Sequence, residues 1–275
     1  MPNAPRLARI PHVKPLPVVI LCGGKGTRLK QLTEDVPKPL IEVGGRPILW
    51  HLMRFFAHQG HREFILCLGY KGEAVKRWFM EHQPWEAEDF TLTFSPDSRR
   101  VRTHAPEPEP WTITFADTGE DTNTGGRIKR VERYVKGRSF LATYGDGLSD
   151  VDLGALQRFH RRSGRLATLT AVRPASQFGI LELGPKDAVK AFQEKPRMTS
   201  WVNGGFFVFE KGVFGYLGDN DILERAPFER LAADGQIGAY RHEGFWECMD
   251  TYQDNLRLNR AWHEGKAPWK IWENR

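Results

Sequence analysis

The 275-residue sequence predicts an α/β protein with a mainly parallel, doubly wound sheet. Three observations carry the prediction. Val18 to Leu21 is a short run rich in β-branched residues, as a strand buried on both faces requires. It leads directly into Gly23-Gly24-Lys25-Gly26-Thr27-Arg28, a turn that only glycine-rich backbone makes so tightly. The next apolar runs then alternate between helical and strand spacing, the pattern of a sheet covered on both faces.

Composition narrows the classes. Seventeen Phe and nine Trp supply ample core, and the net charge is +6. No basic tract interleaved with aromatics reads as a nucleic-acid surface. Cys22, Cys67 and Cys248 stand far apart, without a CxxC pair or a close Cys/His cluster, so buried thiols in a reducing compartment are the plain reading. No apolar run is long enough to cross a membrane, and residues 1–17 lack the apolar centre of a secretory signal. The expectation is a cytoplasmic protein. Residues 1–17 read as a loose extension, and residues 18–275 as one domain with antiparallel insertions.

Along the chain, Gly44-Gly45-Arg46-Pro47 marks a turn, with Pro47 suited to a first helical turn. Ile48, Leu49, Leu52, Met53 and Phe56 then recur at helical spacing. Phe64 to Leu68 is the next strand, and Val75, Trp78 and Phe79 give the following helix a packed face. Phe90, Leu92 and Phe94 alternate with threonines, and Trp111, Ile113 and Phe115 alternate again. These segments read as an antiparallel insertion or sheet edge, with the aromatics packed into the core. Asp152 is placed to cap a helix carrying Leu153, Leu156 and Phe159, and 166 to 172 reads as a buried strand. Phe178 to Leu183 and Val189 to Phe192 flank a turn at Gly184-Pro185, and Phe206 to Phe209 is strongly apolar. The late Trp262, Trp269 and Trp272 read as structural, against the body or a partner subunit.

Several segments point to anion chemistry. The glycine loop after the first strand can turn its amides into one concavity, and Lys25, Arg28 and the proline-flanked Lys38 add positive charge. The dinucleotide fingerprint and the P-loop both fail here, because Leu29 stands where the third glycine belongs and Thr27-Arg28 where Lys-Ser/Thr belongs. Lys25 reads equally as a solvated lysine. Gly125-Gly126-Arg127 offers either a second set of amides and cations or a plain turn before a helix. Asp146, bracketed by Gly145 and Gly147 after the strand Phe140 to Tyr144, suits a hard divalent ion or a simple turn. Glu194-Lys195-Pro196 is a fixed lysine or a surface turn. Asn203 bonds sugar hydroxyls or satisfies its own loop.

Taken together, GGKGTRL at 23–29, PKPLIEVGGRPILWH at 37–51, YGDG at 144–147, FQEKP at 192–196, NGGFFVF at 203–209, GFWECMDT at 244–251 and KAPWKIWE at 266–273 resemble the sugar-1-phosphate nucleotidylyltransferases. Within that family they resemble the branch that joins CTP to glucose 1-phosphate. The resemblance implies a doubly wound nucleotidyltransferase core with a smaller antiparallel region covering the substrate. It implies the reaction of CTP with α-D-glucose 1-phosphate to give CDP-glucose and pyrophosphate, with Mg²⁺ as cofactor. By the same resemblance Gly23, Gly24, Gly26, Thr27 and Gly126 would line the nucleotide pocket, and Arg28 and Lys38 would meet the nucleotide phosphates. Asp146 and Asp250 would hold the metal, Lys195 the sugar phosphate, and Glu194 and Asn203 the sugar. The resemblance favours a homo-oligomer, a hexamer among the options. A uridylyl- or thymidylyltransferase and a non-catalytic nucleotide-sugar sensor are the alternatives. Two positions depart from the family pattern: Lys25 within the glycine loop, and Cys248 where proline is expected.

Overall fold

The computed structural model describes residues 14–26, 29, 36–81, 89–104 and 110–273. Residues 1–13 of the expected extension lie outside the described residues. Its last residues are tied to the body: the Leu16 amide donates to His61 Nδ1 at 3.0 Å, and the Leu141 amide donates to the Pro17 carbonyl at 2.9 Å.

Strand β1 (Val18–Leu21) lies inside an eight-stranded sheet. It is followed by α1 (Ile48–His58), β2 (Glu63–Leu68) and α2 (Gly72–Glu81). A hairpin comes next, β3 (Phe90–Ser95) with β4 (Ser98–Thr103), then β5 (Thr112–Asp117) and the short α3 (Thr124–Arg130). β6 (Ser139–Tyr144), β7 (Gly147–Ser149), α4 (Leu153–Ser163) and β8 (Ala167–Val172) complete the middle of the chain. A second hairpin, β9 (Ile180–Leu183) with β10 (Val189–Gln193), precedes β11 (Val202–Asn203) and β12 (Phe207–Glu210). The chain ends through α5 (Ala226–Ala233), β13 (Ile237–Arg241), β14 (Trp246–Cys248) and α6 (Tyr252–His263).

β1 pairs in parallel with β2 and β6, Val18 lying opposite both Phe64 and Leu141, and β5 extends the parallel set beyond β2. On the other side β12 runs antiparallel to β6 and to β8, and β13 pairs in parallel with β8. β11 and β12 pair with the same edge of β8, separated by a bulge at 204–206 where Gly205 and Phe206 take positive φ. Val18 and Ile20 point into a core layer with Leu52 and Phe56 of α1. Val19 and Leu21 point the other way, toward Ile128 of α3. That two-faced burial explains the unbroken apolar run of β1.

Local signals explain most element ends. Pro47 sits immediately before α1, one position earlier than its expected place in the first turn. Asp152 caps α4 by accepting from the Ala155 amide at 2.8 Å, and Gly164 closes that helix at positive φ. Thr251 and Asp254 form a reciprocal capping box on α6. Trp269 is fully buried, and its indole N–H donates to His51 Nδ1 at 3.4 Å. His51 in turn lies 2.7 Å from the Val43 carbonyl through Nε2. A single neutral tautomer satisfies both contacts, and burial pushes the ring's pKa down to about 4. Trp262 and Trp272 pack around the same ring, so the late tryptophans serve the body.

Of the two alternating segments, one departs from the sequence reading. Phe90, Leu92 and Phe94 are exposed rather than core, with Phe94 70% exposed, because among the described residues β3 pairs only with β4, in a two-stranded sheet apart from the main one. Ile113 and Phe115 lie in β5 at the parallel edge of the main sheet, the sheet-edge alternative of the sequence reading, and with Trp111 just before the strand they pack against the core. Among the described residues no helix is long and apolar enough to cross a membrane.

Candidate active site

The site lies beyond the C-terminal ends of β1 and β6, where α/β sheets place their ligands. β1 delivers Gly23 and Gly24, and β6 delivers Tyr144, Gly145 and Asp146. The two strand ends are held close: the Gly145 amide donates to the Leu21 carbonyl at 3.0 Å. A Cβ on Gly145 would stand 2.8 Å from that same carbonyl oxygen, so glycine is required there. A cavity of about 280 Å³ opens above, lined by Gly23, Gly24, Lys38, Thr124, Tyr144 and Asp146 among others.

Asp146 and Asp250, far apart in sequence, are brought together by a two-stranded pairing. β7 follows Asp146 and β14 precedes Asp250, and the two strands run antiparallel with Gly147 opposite Cys248. The Met249 amide donates to the Asp146 carbonyl at 2.9 Å and closes the pairing. Both carboxylates then face one ammonium: Lys38 Nζ stands 2.6 Å from Asp146 Oδ2 and 2.7 Å from Asp250 Oδ1. Lys38 opens a short 3₁₀ turn between Pro37 and Pro39, whose fixed φ limits how far its backbone moves. Burial works against the lysine's charge, but the two carboxylates outweigh it and hold its pKa above the ordinary value. The Asp250 amide is anchored by Asp254 Oδ2 at 3.0 Å, so the helix-capping residue also fixes a site residue.

Cys248 donates its thiol to Asp250 Oδ2 at 3.1 Å. Burial and the neighbouring Asp146 and Asp250 carboxylates push that thiol's pKa well up, and burial does the same to Cys22. Both stay protonated near neutral pH and are poor nucleophiles.

The structure gives Arg127 a role the sequence left open. Its side chain is buried on α3 over the ends of three parallel strands. Nη1 donates to the Leu68 and Gly119 carbonyls and to Thr118 Oγ1, at 3.1, 2.8 and 2.8 Å. Nη2 donates to the Gly23 and Glu120 carbonyls, at 2.9 and 3.0 Å. A Cβ on Gly23 or Gly69 would overlap the guanidinium, at 2.1 and 2.4 Å from Nη1. Gly23 is therefore glycine because Arg127 fills its side-chain space, whereas a Cβ on Gly24 would meet open space.

The other predicted residues are placed variously. Thr27 and Arg28 lie outside the described residues. Gly126 packs against the backbone of Asp219 and Asn220, away from the cavity wall, and Lys25 pairs with Asp121 at 2.8 Å on the surface. Gly26 takes positive φ at the turn of the loop. Glu194 and Lys195 stand exposed just past the β9–β10 hairpin, Lys195 at positive φ, and neither lines the cavity. Asn203 reaches the cavity's edge: its Nδ2 donates to the Tyr144 hydroxyl at 3.0 Å, while its Oδ1 accepts from the Gly205 amide at 3.0 Å. Sequence reasoning missed Tyr144, Thr124 and Glu224. The Tyr144 hydroxyl and the Thr124 hydroxyl both donate to the Glu224 carboxylate, which links Asn203 through Tyr144 to Thr124. Burial and Glu224 keep the Tyr144 phenol protonated.

A glycine loop, a fixed lysine and two converging carboxylates at strand ends define a nucleotide-handling transferase. Residues 17–237 match the nucleotidyl transferase family, and the chain belongs to it. It is 44% identical to the probable glucose-1-phosphate cytidylyltransferase of Bacillus subtilis (strain 168), over 92% of this chain and 99% of that one. It is likewise 44% identical to the glucose-1-phosphate cytidylyltransferase of Salmonella typhi, over 93% of this chain and 99% of that one. Among solved structures, HddC from Yersinia pseudotuberculosis superimposes with a TM-score of 0.62 at 23% identity, covering 90% of this chain and 99% of that one. That likeness concerns the fold.

Proposed function

We propose that this chain transfers the cytidylyl group of CTP to α-D-glucose 1-phosphate, releasing pyrophosphate and forming CDP-glucose. The observation that carries the reading is the meeting of Lys38, Asp146 and Asp250 beside the glycine loop, in a chain 44% identical to glucose-1-phosphate cytidylyltransferases.

The chemistry needs no side-chain nucleophile. A phosphate oxygen of glucose 1-phosphate is already anionic near neutral pH. It attacks the α-phosphorus of CTP, a new P–O bond forms, and the bond to pyrophosphate breaks with its electron pair leaving on the pyrophosphate oxygen. The burden is to bring two polyanions together and to stabilise the charge they share in the transition state. Gly24 lets the nucleotide approach the loop backbone. Lys38 supplies a positive charge at the reacting phosphate, and Arg28 and Thr27 extend the phosphate cradle. Asn203 bonds the sugar hydroxyls from the cavity's edge, while Lys195 and Glu194, exposed and off the cavity wall, are assigned to the sugar phosphate and the sugar by the family resemblance alone.

Asp146 and Asp250 fit Mg²⁺. Among the described residues no group of three or more metal-ligating side chains exists. Mg²⁺ sites in nucleotide enzymes use one or two carboxylates and take their remaining ligands from water and substrate phosphates. Two carboxylate oxygens already directed at one cation match that donor set. When bound, the ion supplies charge neutralisation at the triphosphate.

The exposed apolar side chains at both hairpins, Phe94 and Phe192 with Phe178 just before β9, support a homo-oligomer, to be read from the mass in solution. Pyrophosphate release with glucose 1-phosphate, Mg²⁺ and each of CTP, UTP and dTTP tests the reaction. Turnover fastest with CTP is the expected result. A UTP or dTTP preference moves the base assignment, and binding without any turnover supports a sensor.

A further inference from the structure

Lys38 sits where a divalent ion would have to go. Its ammonium is within 2.7 Å of an oxygen from each carboxylate, and it is only 14% exposed. Two carboxylates brought this close repel one another unless a cation lies between them. An ammonium and a divalent ion cannot share that position without mutual repulsion. Pro37 and Pro39 restrain the backbone on either side, so exchange takes place by rotation of the long lysine stem.

We propose that Lys38 is an exchangeable counter-ion. In the substrate-free protein its ammonium holds Asp146 and Asp250 together and competes with metal for them. Metal loading requires the ammonium to leave, and the phosphates of a bound nucleotide offer it the replacement partner. The same side chain thus preserves the carboxylate geometry before the substrate arrives and enters the phosphate cradle afterwards. It follows that metal and nucleotide favour each other's binding and that this coupling runs through Lys38. The inference rests on the reading of Asp146 and Asp250 as metal ligands.

The test is a Mn²⁺ titration of the full-length, substrate-free protein, followed by the electron paramagnetic resonance signal of free Mn²⁺. Lys38→Gln should bind Mn²⁺ at least fivefold more tightly than wild type, because the competing charge is gone. Lys38→Arg retains a cation and should bind no more tightly than wild type. Lys38→Met keeps an apolar stem and gives the same readout as glutamine should glutamine disturb folding. Without metal, Lys38→Gln should melt below wild type, and Mn²⁺ should raise its melting temperature by more than it raises that of wild type. A gain of less than fivefold in both uncharged variants overturns the proposal. Failure of Lys38→Gln to bind Mn²⁺ at all, or unchanged binding when Asp250→Asn is added to it, overturns the metal assignment along with it. Absence of cytidylyl transfer in wild-type protein would overturn the reaction instead and leave the titration standing.

Discussion

Replacing Arg127 with leucine should destabilise the fold by about 3 kcal/mol, and the structure shows where that figure comes from. The guanidinium makes five hydrogen bonds, but its acceptors do not depend on it equally. The Leu68 carbonyl keeps the Thr118 amide and hydroxyl, at 2.9 and 2.6 Å. The Gly23 carbonyl keeps the Tyr70 amide at 3.2 Å. Thr118 Oγ1, which is buried, loses the donor it accepts from, and the half-buried Gly119 carbonyl loses its bond, whereas the carbonyl of the exposed Glu120 turns to water. A hydrogen bond from a charged donor contributes roughly 1.5–3 kcal/mol, so the bonds to Thr118 and Gly119 together give about 3–6. Burial already pushes the pKa of Arg127 down, and removing that desolvated charge returns part of the loss. The result sits near the lower half of the range. For a chain of this size it lowers the melting temperature by about 6–12 °C. Differential scanning calorimetry, with urea unfolding as a check, reads it. Gly69→Ala intrudes on the same guanidinium without removing it and should act in the same direction. A loss below about 1 kcal/mol in Arg127→Leu would refute the argument that this side chain fastens the strand ends.

Three further outcomes follow from the same geometry. His51 and His61 are buried and held neutral, each with its pKa lowered from 6.5 to about 4. The unfolded chain therefore takes up these protons first, and stability falls as pH drops from about 6.5 toward 4. Between pH 7 and pH 5 the loss is about 2 kcal/mol per histidine, and urea unfolding at the two values should show it shrinking in a His51→Asn variant. Lys38→Ala should keep its secondary structure and lose about a hundredfold in kcat, the scale of one preorganised donor worth about 3 kcal/mol. Near-normal turnover would remove Lys38 from the reacting phosphate. Lys195→Ala should raise the KM for glucose 1-phosphate at least tenfold and leave that for CTP within twofold, and the reverse pattern would move Lys195 to the nucleotide.

The parts of this molecule legible in sequence are those set by local chemistry. The buried run of β1, the glycine turn after it and the capping aspartate of α4 each follow from a few adjacent residues. Alternation in Phe90, Leu92 and Phe94 correctly marked a strand, but alternation says which side chains share a face, not whether anything covers it. Arg127 beside two glycines reads as one of a second set of cations or as part of a plain turn, and its part as a buttress shows only in its burial over three strand ends. The Asp146–Asp250 meeting depends on the register of β7 against β14, a long-range pairing that no local signal announces. The motif resemblance anticipated that the two belong together. It did not reveal that Lys38 lies between them, nor that Asn203 is linked through Tyr144 to Glu224.

The most direct test of the central claim is an internal competition. Wild-type protein is given glucose 1-phosphate, Mg²⁺ and an equimolar mixture of CTP, UTP and dTTP, and the sugar nucleotides formed are separated and weighed by mass spectrometry. Product ratios then report relative kcat/KM directly. The account predicts CDP-glucose as the dominant product, formed in step with pyrophosphate. A mixture dominated by UDP-glucose or dTDP-glucose, or pyrophosphate release without any sugar nucleotide, would contradict it.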